Sequence, residues 1–140
     1  MAVEQLSIFV ENAPGRLFAI TDILARENVD MKALSVADTM EFGILRIIVS
    51  DTKKGYEALK SENITASITE VLAVKIIDKV GSLNDTLRIL KDANVNIEYI
   101  YSFLSHDPEN AYIIIRTDDT KKAEKALIDG GVKVVDELDL

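Results

Sequence analysis

The chain repeats itself. Displaced by 66 positions, as from Leu6 to Leu72, Gly15 falls on Gly81, Leu17 on Leu83, Leu24 on Leu90, Asn28 on Asn94 and Val29 on Val95. Past Met40 the displacement becomes 68, as from Asp51 to Asp119. Asp51-Thr52-Lys53-Lys54 then meets Asp119-Thr120-Lys121-Lys122, and Ala58-Leu59 meets Ala126-Leu127. Ordered matches with one two-residue insertion mark a duplicated unit. The 140 residues therefore divide into a first unit, 1–69, and a second, 70–140. No linker rich in Pro, Gly or Ser lies between them. The boundary at Thr69-Glu70 falls inside ITASITEVLAVKIID, so the last strand of one unit is expected to run almost directly into the first strand of the next.

Each unit reads as βαββαβ. Leu6, Ile8 and Val10 alternate with polar neighbours, the period of a strand, and Ala13-Pro14-Gly15 breaks it. Leu17, Ile20 and Leu24, with Ile23 beside them, recur at helical spacing, and Asn28 suits the helix end. Strands are expected from Met31 to Ala37, Gly43 to Val49 and Ile64 to Ile68. Asp51-Thr52 signals an N-cap for a second helix whose inner face carries Tyr56 and Leu59.

The second unit follows suit. Leu72 to Ile77 reads as a strand, Leu83, Leu87 and Leu90 as a helix stripe, Ile97 to Phe103 and Tyr112 to Thr117 as a hairpin. Asp107-Pro108-Glu109-Asn110 is its turn and holds the insertion. Asp119 or Thr120 caps the last helix, Gly130-Gly131 stops it, and Val132 to Val135 closes the sheet. Two short helical crossovers per unit give the α+β class: a ferredoxin-like antiparallel sheet with both helices on one face. The other face is left for solvent or a partner.

Composition removes several function classes. The net charge is −8 and the sequence pI about 4.6, so no basic stripe exists to replace phosphate counterions. The same balance argues against an anionic membrane surface. With no cysteine there is no disulfide, thiolate metal site or Cys nucleophile. MAVEQLSIFVEN has neither the basic start nor the apolar run of a signal peptide, and a cytoplasmic protein is expected. His106, the single histidine, lies in the turn beside Asp107 and Glu109, a poor metal or catalytic candidate. Tyr99, Tyr101 and Phe103 alternate along one strand. With this net charge they fit core packing or a dimer face better than RNA stacking. No catalytic constellation, metal site or cofactor motif emerges.

At the first turn the sequence reads ENAPGRLFAITDILARENVDM. Asn12, Pro14, Gly15, Leu17, Ile20, Leu24, Val29, Asp30 and Met31 resemble the signature of the ACT domain. The second copy, DKVGSLNDTLRILKDANVNI, resembles it through Asp78, Gly81, Leu83, Leu90, Val95, Asn96 and Ile97. The resemblance spans nearly the whole chain, which looks like a stand-alone tandem ACT protein. It implies a non-catalytic regulatory module that senses a small free amino acid at the loop between the first strand and first helix and at a domain or dimer interface, forms a homodimer and acts on a metabolic enzyme. The alternative it leaves open is a ligand-free structural or interaction subunit of a biosynthetic enzyme or aryl-CoA ligase. The second copy departs from the pattern, with Val80 for the proline and Asp78 for Asn12. Asp30 replaces the asparagine that the second copy keeps as Asn96.

A free amino acid presents a carboxylate, an ammonium and a side chain. The N-terminus of a helix offers unpaired N–H groups and partial positive charge. The expected site therefore comprises Asn12, Ala13, Pro14 (expected in the first helical turn, where it wastes no donor), Gly15, Arg16 and Leu17. Asp30 joins it as an ammonium acceptor, and Met31 and Leu34 shape the pocket. The second-unit counterparts are Asp78, Val80, Gly81, Ser82, Leu83, Asn96 and Ile97. Asn12 carries both an amide donor and a carbonyl acceptor, and its plainer reading is a helix cap.

Overall fold

The computed structural model describes residues 2–38, 41–103 and 106–136. Its elements are β1 (Val3–Glu11), α1 (Arg16–Arg26), β2 (Met31–Asp38), β3 (Phe42–Val49), α2 (Thr52–Ser61), β4 (Ala66–Ile77), α3 (Ser82–Asp92), β5 (Ile97–Phe103), β6 (Asn110–Thr117), α4 (Thr120–Asp129) and β7 (Lys133–Val135). The chain divides into two compact units. One is Glu4–Thr69, and the other gathers Glu70 onward with the segment ending at Val3.

In the first unit the strands lie in the order β2-β3-β1-β4. β3 pairs antiparallel with both β1 and β2. Direct partners such as Leu6 with Ile47 and Ile8 with Leu45 share a face, as the two-residue period requires. That face meets both helices. Leu6, Ile8, Val10, Leu45, Ile47 and Val49 pack with Ile20, Ile23 and Leu24 of α1 and Leu59 of α2. Burying each such side chain contributes roughly 1.5–3 kcal/mol, so this layer fixes where α1 begins.

The second unit repeats the plan with β7-β4-β6-β5, every pair antiparallel. Leu72, Val74, Ile113 and Ile115 pack under Leu90 of α3 and Ala123 and Leu127 of α4. The faces turned away from the helices are not uniformly open. Ala33 and Ile48 in the first unit and Val71, Ala73 and Ile114 in the second are buried, outside both core clusters.

All four helices end the same way. Asn28, Asn63, Asn94 and Gly131 take positive φ, and the residue after each donates back into the last turn: Val29 to Leu24, Ile64 to Leu59, Val95 to Leu90, Val132 to Leu127. This is the Schellman closure, with an apolar residue folded against the helix end.

Three details differ from the sequence expectation. The strands read as Ile64–Ile68 and Leu72–Ile77 are one unbroken strand, β4, since ASITEVLAVKII holds no Gly or Pro to stop it. Leu17 and Leu83, placed on the inner helix stripes, are 43% and 40% exposed in the first turns of their helices. Pro14 stands before the helix rather than in its first turn: the N-cap is Gly15.

Candidate functional site

The connection from β1 to α1 is a tight turn. Arg16 N–H donates to Ala13 O at 3.3 Å, and Gly15 has φ 79°, ψ −3°. A four-residue turn with Pro second and a left-handed Gly third is type II. Asn12 N–H is tied to Glu41 O at 3.1 Å. The second unit builds the same turn without the proline. Ser82 N–H donates to Lys79 O at 3.2 Å, Gly81 has φ 92°, ψ −11°, and Asp78 N–H donates to Glu109 O at 2.9 Å. Around Gly15 and Gly81 a Cβ would meet nothing within 4 Å. Glycine is needed there for its backbone conformation, not for close approach of another chain segment, and neither turn is plugged at that point.

The helices differ at their N-termini by rank within each unit. α2 and α4 are capped by Asp51 and Asp119, whose carboxylates accept from Lys54 N–H and Lys122 N–H, both at 3.1 Å. α1 and α3 begin at Gly15 and Gly81 with no side-chain cap. Asn12 therefore does not cap α1. Arg16 N–H and Ser82 N–H close the turns, and the amides that follow them in the first helical turn have no side-chain cap, so an anion can approach them there. The two are not electrically alike. α1 has no acidic residue in its first turn, whereas α3 has Asp85.

Two hollows flank the first-unit turn. A groove of about 180 Å³ is lined by Val10, Glu11, Asn12, Ala13, Leu17, Val36 and Gly43. On the other side lies a cavity of about 320 Å³, whose lining includes Phe9, Glu11, Arg16, Ile20, Phe42 and Ile64. Arg16 and Glu11 meet at 3.4 Å, both well exposed. Phe9 and Phe42 remain 62% and 47% exposed. In the second unit the matching positions carry Lys75, Ile77, Ser82, Thr86 and Asn110, for Phe9, Glu11, Arg16, Ile20 and Phe42.

The residues expected from the sequence separate into groups. Asn12, Ala13 and Leu17 line the groove, Arg16 lines the cavity, and Pro14-Gly15 form the turn between. Asp30 and Met31 lie at the opposite end of α1, in a separate hollow of about 410 Å³ shared with Thr21, Asn28 and Val29. Asp30 N–H donates to Ser50 Oγ at 2.9 Å, and Met31 packs against the core. Leu34 is exposed on β2, two residues from Val36. Asp78, Val80, Gly81, Ser82 and Leu83 form the second turn and the start of α3. Asn96 N–H donates to Asp118 Oδ1 at 3.0 Å, and Ile97 packs against the second core.

Phe9, Glu11 and Phe42 belong to no motif in the sequence, although one signal is present. Ile8-Phe9-Val10 sets three apolar residues in a row on a strand that otherwise alternates. The residues of the β5–β6 hairpin read as structural. Asp107 binds Asn110 Nδ2 at 2.7 Å and Glu109 N–H at 3.0 Å, and Lys75 lies 3.8 Å away. Those contacts, the Asn110 amide foremost, hold its carboxyl below the usual carboxylate range. Tyr99 stacks on Tyr101 at 6.5 Å, and Phe103 leans on Tyr112 at 4.9 Å. Among the described residues no cluster of His, Cys, Asp and Glu could hold a metal ion, and no helix is long and apolar enough to cross a membrane.

Comparison with known proteins adds the following. The profile of a family described as an ACT domain pair matches residues 1–140. A Bacteroides thetaiotaomicron protein of known structure is 39% identical, with a TM-score of 0.91 over 96% of this chain and 92% of that one. The regulatory subunit of aspartate kinase from Thermus thermophilus, in its ligand-free form, is 14% identical with a TM-score of 0.64 over 91% of each chain. The corresponding subunit from Thermus flavus is 16% identical with a TM-score of 0.62 over 91% of this chain and 92% of that one. At those identities the Thermus subunits share the fold. No curated protein matches the chain.

Proposed function

The chain belongs to the ACT domain pair family, and from that premise we propose that it is a non-catalytic regulatory protein that binds a free amino acid at a β1–α1 turn and conveys its occupancy to a metabolic enzyme. The observation that carries the reading is the split among helix N-termini. The Asp-capped α2 and α4 are closed, and the glycine-started α1 and α3 are bare. A ligand carboxylate at a bare end gains charge-assisted bonds to backbone N–H groups, together with about 0.3–1 kcal/mol from the helix dipole, more where partly buried. The loop Asn12–Leu17 supplies the grip. The exposed Leu34 and Val36 on β2, at the end of the first unit's strand order, offer an apolar edge for a homodimer. Two structural neighbours are regulatory subunits of aspartate kinase, which supports a regulatory role exerted on a separate enzyme.

Regulation then follows from linkage. An amino acid that favours one packing of the protein over another shifts that equilibrium by its difference in affinity, and the enzyme reads the shift. A thermal-shift panel of the twenty amino acids tests the reading. A ligand bound only by the folded state stabilises it by about 2.7 kcal/mol at about a hundredfold excess over Kd. For a chain of this length that is a rise of several degrees. A flat response across the panel at millimolar concentration would refute amino-acid sensing and leave the ligand-free interaction subunit as the reading.

A further inference from the structure

Resting on the amino-acid-binding reading, we propose that the first unit alone carries the ligand site, and that its ligand is an α-amino acid with a large apolar side chain seated in the cavity beside Phe9 and Phe42. The cavity lies wholly within Glu4–Thr69 and holds about 320 Å³, the lower end of the range for small-molecule sites. Its walls combine an apolar side, Phe9, Phe42, Ile20 and Ile64, with a polar side that includes Glu11, Arg16 and Asn63. Phe9 and Phe42 keep much of their surface in water, and an apolar guest between them would remove that surface from solvent.

The polar groups fit the other half of such a guest. Arg16 and Glu11 bring opposite charges to within 3.4 Å of each other at the cavity. An α-amino acid carries the matching opposite charges on adjacent groups. Its carboxylate goes to the Arg16 guanidinium and the bare start of α1, and its ammonium to Glu11. An exposed ion pair of this kind contributes little by itself, so exchanging it for two ligand contacts loses little.

The duplicate shows what the fold needs without this site. It keeps the glycine turn and an apolar residue for Val10 and Ile64 (Ile76 and Val132), yet replaces Phe9, Phe42 and Ile20 with Lys75, Asn110 and Thr86 and the charge pair with Ile77 and Ser82. It also sets Asp85 in the first turn of α3, where an incoming carboxylate would be repelled. The first unit thus has Phe9, Phe42 and the Arg16–Glu11 pair together at one cavity, and its counterpart has neither the aromatic pair nor that ion pair.

Isothermal titration of the full chain with L-leucine, L-phenylalanine, glycine, L-aspartate and L-lysine tests the proposal. The expected result is one site per chain, occupied by leucine or phenylalanine and not by glycine, aspartate or lysine at the same concentration. Arg16→Ser and Phe42→Asn, the second unit's own residues, should each weaken binding by about tenfold or more. Ser82→Ala should leave it unchanged. Phe42→Asn alters a strand end, so its melting temperature is compared with that of the unmutated chain. Arg16→Ser changes an exposed side chain and carries the test if the other fails to fold. Tight amino-acid binding that ignores both substitutions, shows two sites per chain, or prefers the small or charged ligands would overturn this inference while sparing amino-acid sensing. Absence of binding by all twenty amino acids would overturn both.

Discussion

In the first unit, Arg16 and Glu11 face each other across 3.4 Å beside a cavity walled by Phe9 and Phe42. At the same places the second unit has Ser82, Ile77, Lys75 and Asn110. The backbones beneath are alike, bond for bond. Ala13 O and Lys79 O accept from the third residue on, Gly15 and Gly81 turn left-handed, and Asp51 and Asp119 cap the second helices. What duplication preserved is therefore the folding machinery: caps, Schellman ends and the Leu/Ile layer. What it let drift is the rim of the first turn. Residues needed for the fold and residues available for recognition can be told apart inside one chain, because the fold is present twice.

If the two cores are equivalent, Leu45→Ala and Ile113→Ala should each cost about 2–5 kcal/mol in denaturant unfolding of the full chain. Both side chains are buried at matching positions of their sheets. A loss near zero at either site would break the equivalence.

A smaller effect sharpens the comparison at one point where the cores differ. Thr117 stands where the first unit has Val49, and among the described residues its buried Oγ1 has no hydrogen-bond partner. Thr117→Val should stabilise the chain by about 1–3 kcal/mol, the cost of an unsatisfied buried hydroxyl. Loss of stability would mean that the hydroxyl is bonded in solution.

Gly15→Ala and Gly81→Ala should each lose about 1–2 kcal/mol, since φ of 79° and 92° disfavours any Cβ although space is open. The two losses should match in urea melts, while only Gly15→Ala weakens a ligand. Smallest of all, Gly55→Ala should gain up to about 1 kcal/mol of helix propensity. The second unit already has buried Ala123 there, and the nearest obstacle is the flexible Leu6 Cδ1 at 3.3 Å from the added carbon. A net loss would show that the first core is too tight to copy its twin.

The fold was largely legible because its determinants are local and doubled. Asp51-Thr52 and Asp119-Thr120 announce caps, Asn28 and Asn94 announce helix ends, and the strand periods hold across both copies. The site was legible only where chain neighbours make it. Asn12 to Leu17 read as a unit because they are consecutive. Glu11, Phe9 and Phe42 come together through the β1–β3 register, in which Glu11 faces Phe42. A single sequence does not state that register. Asp30 and Met31 share the motif with the turn in sequence, but an 11-residue helix, about 16 Å long, stands between them within the unit. Leu17 reads as inward by helical period, which does not show that a first-turn residue stays half exposed.

Backbone amide NMR of the full chain titrated with L-leucine or L-phenylalanine tests the central claim most directly. The account predicts saturable shifts at Gly15, Arg16 and Leu17 and along Phe9 to Glu11, with Gly81, Ser82 and Leu83 unmoved. Equal shifts at both turns, shifts at the second turn alone, or none at either would contradict it.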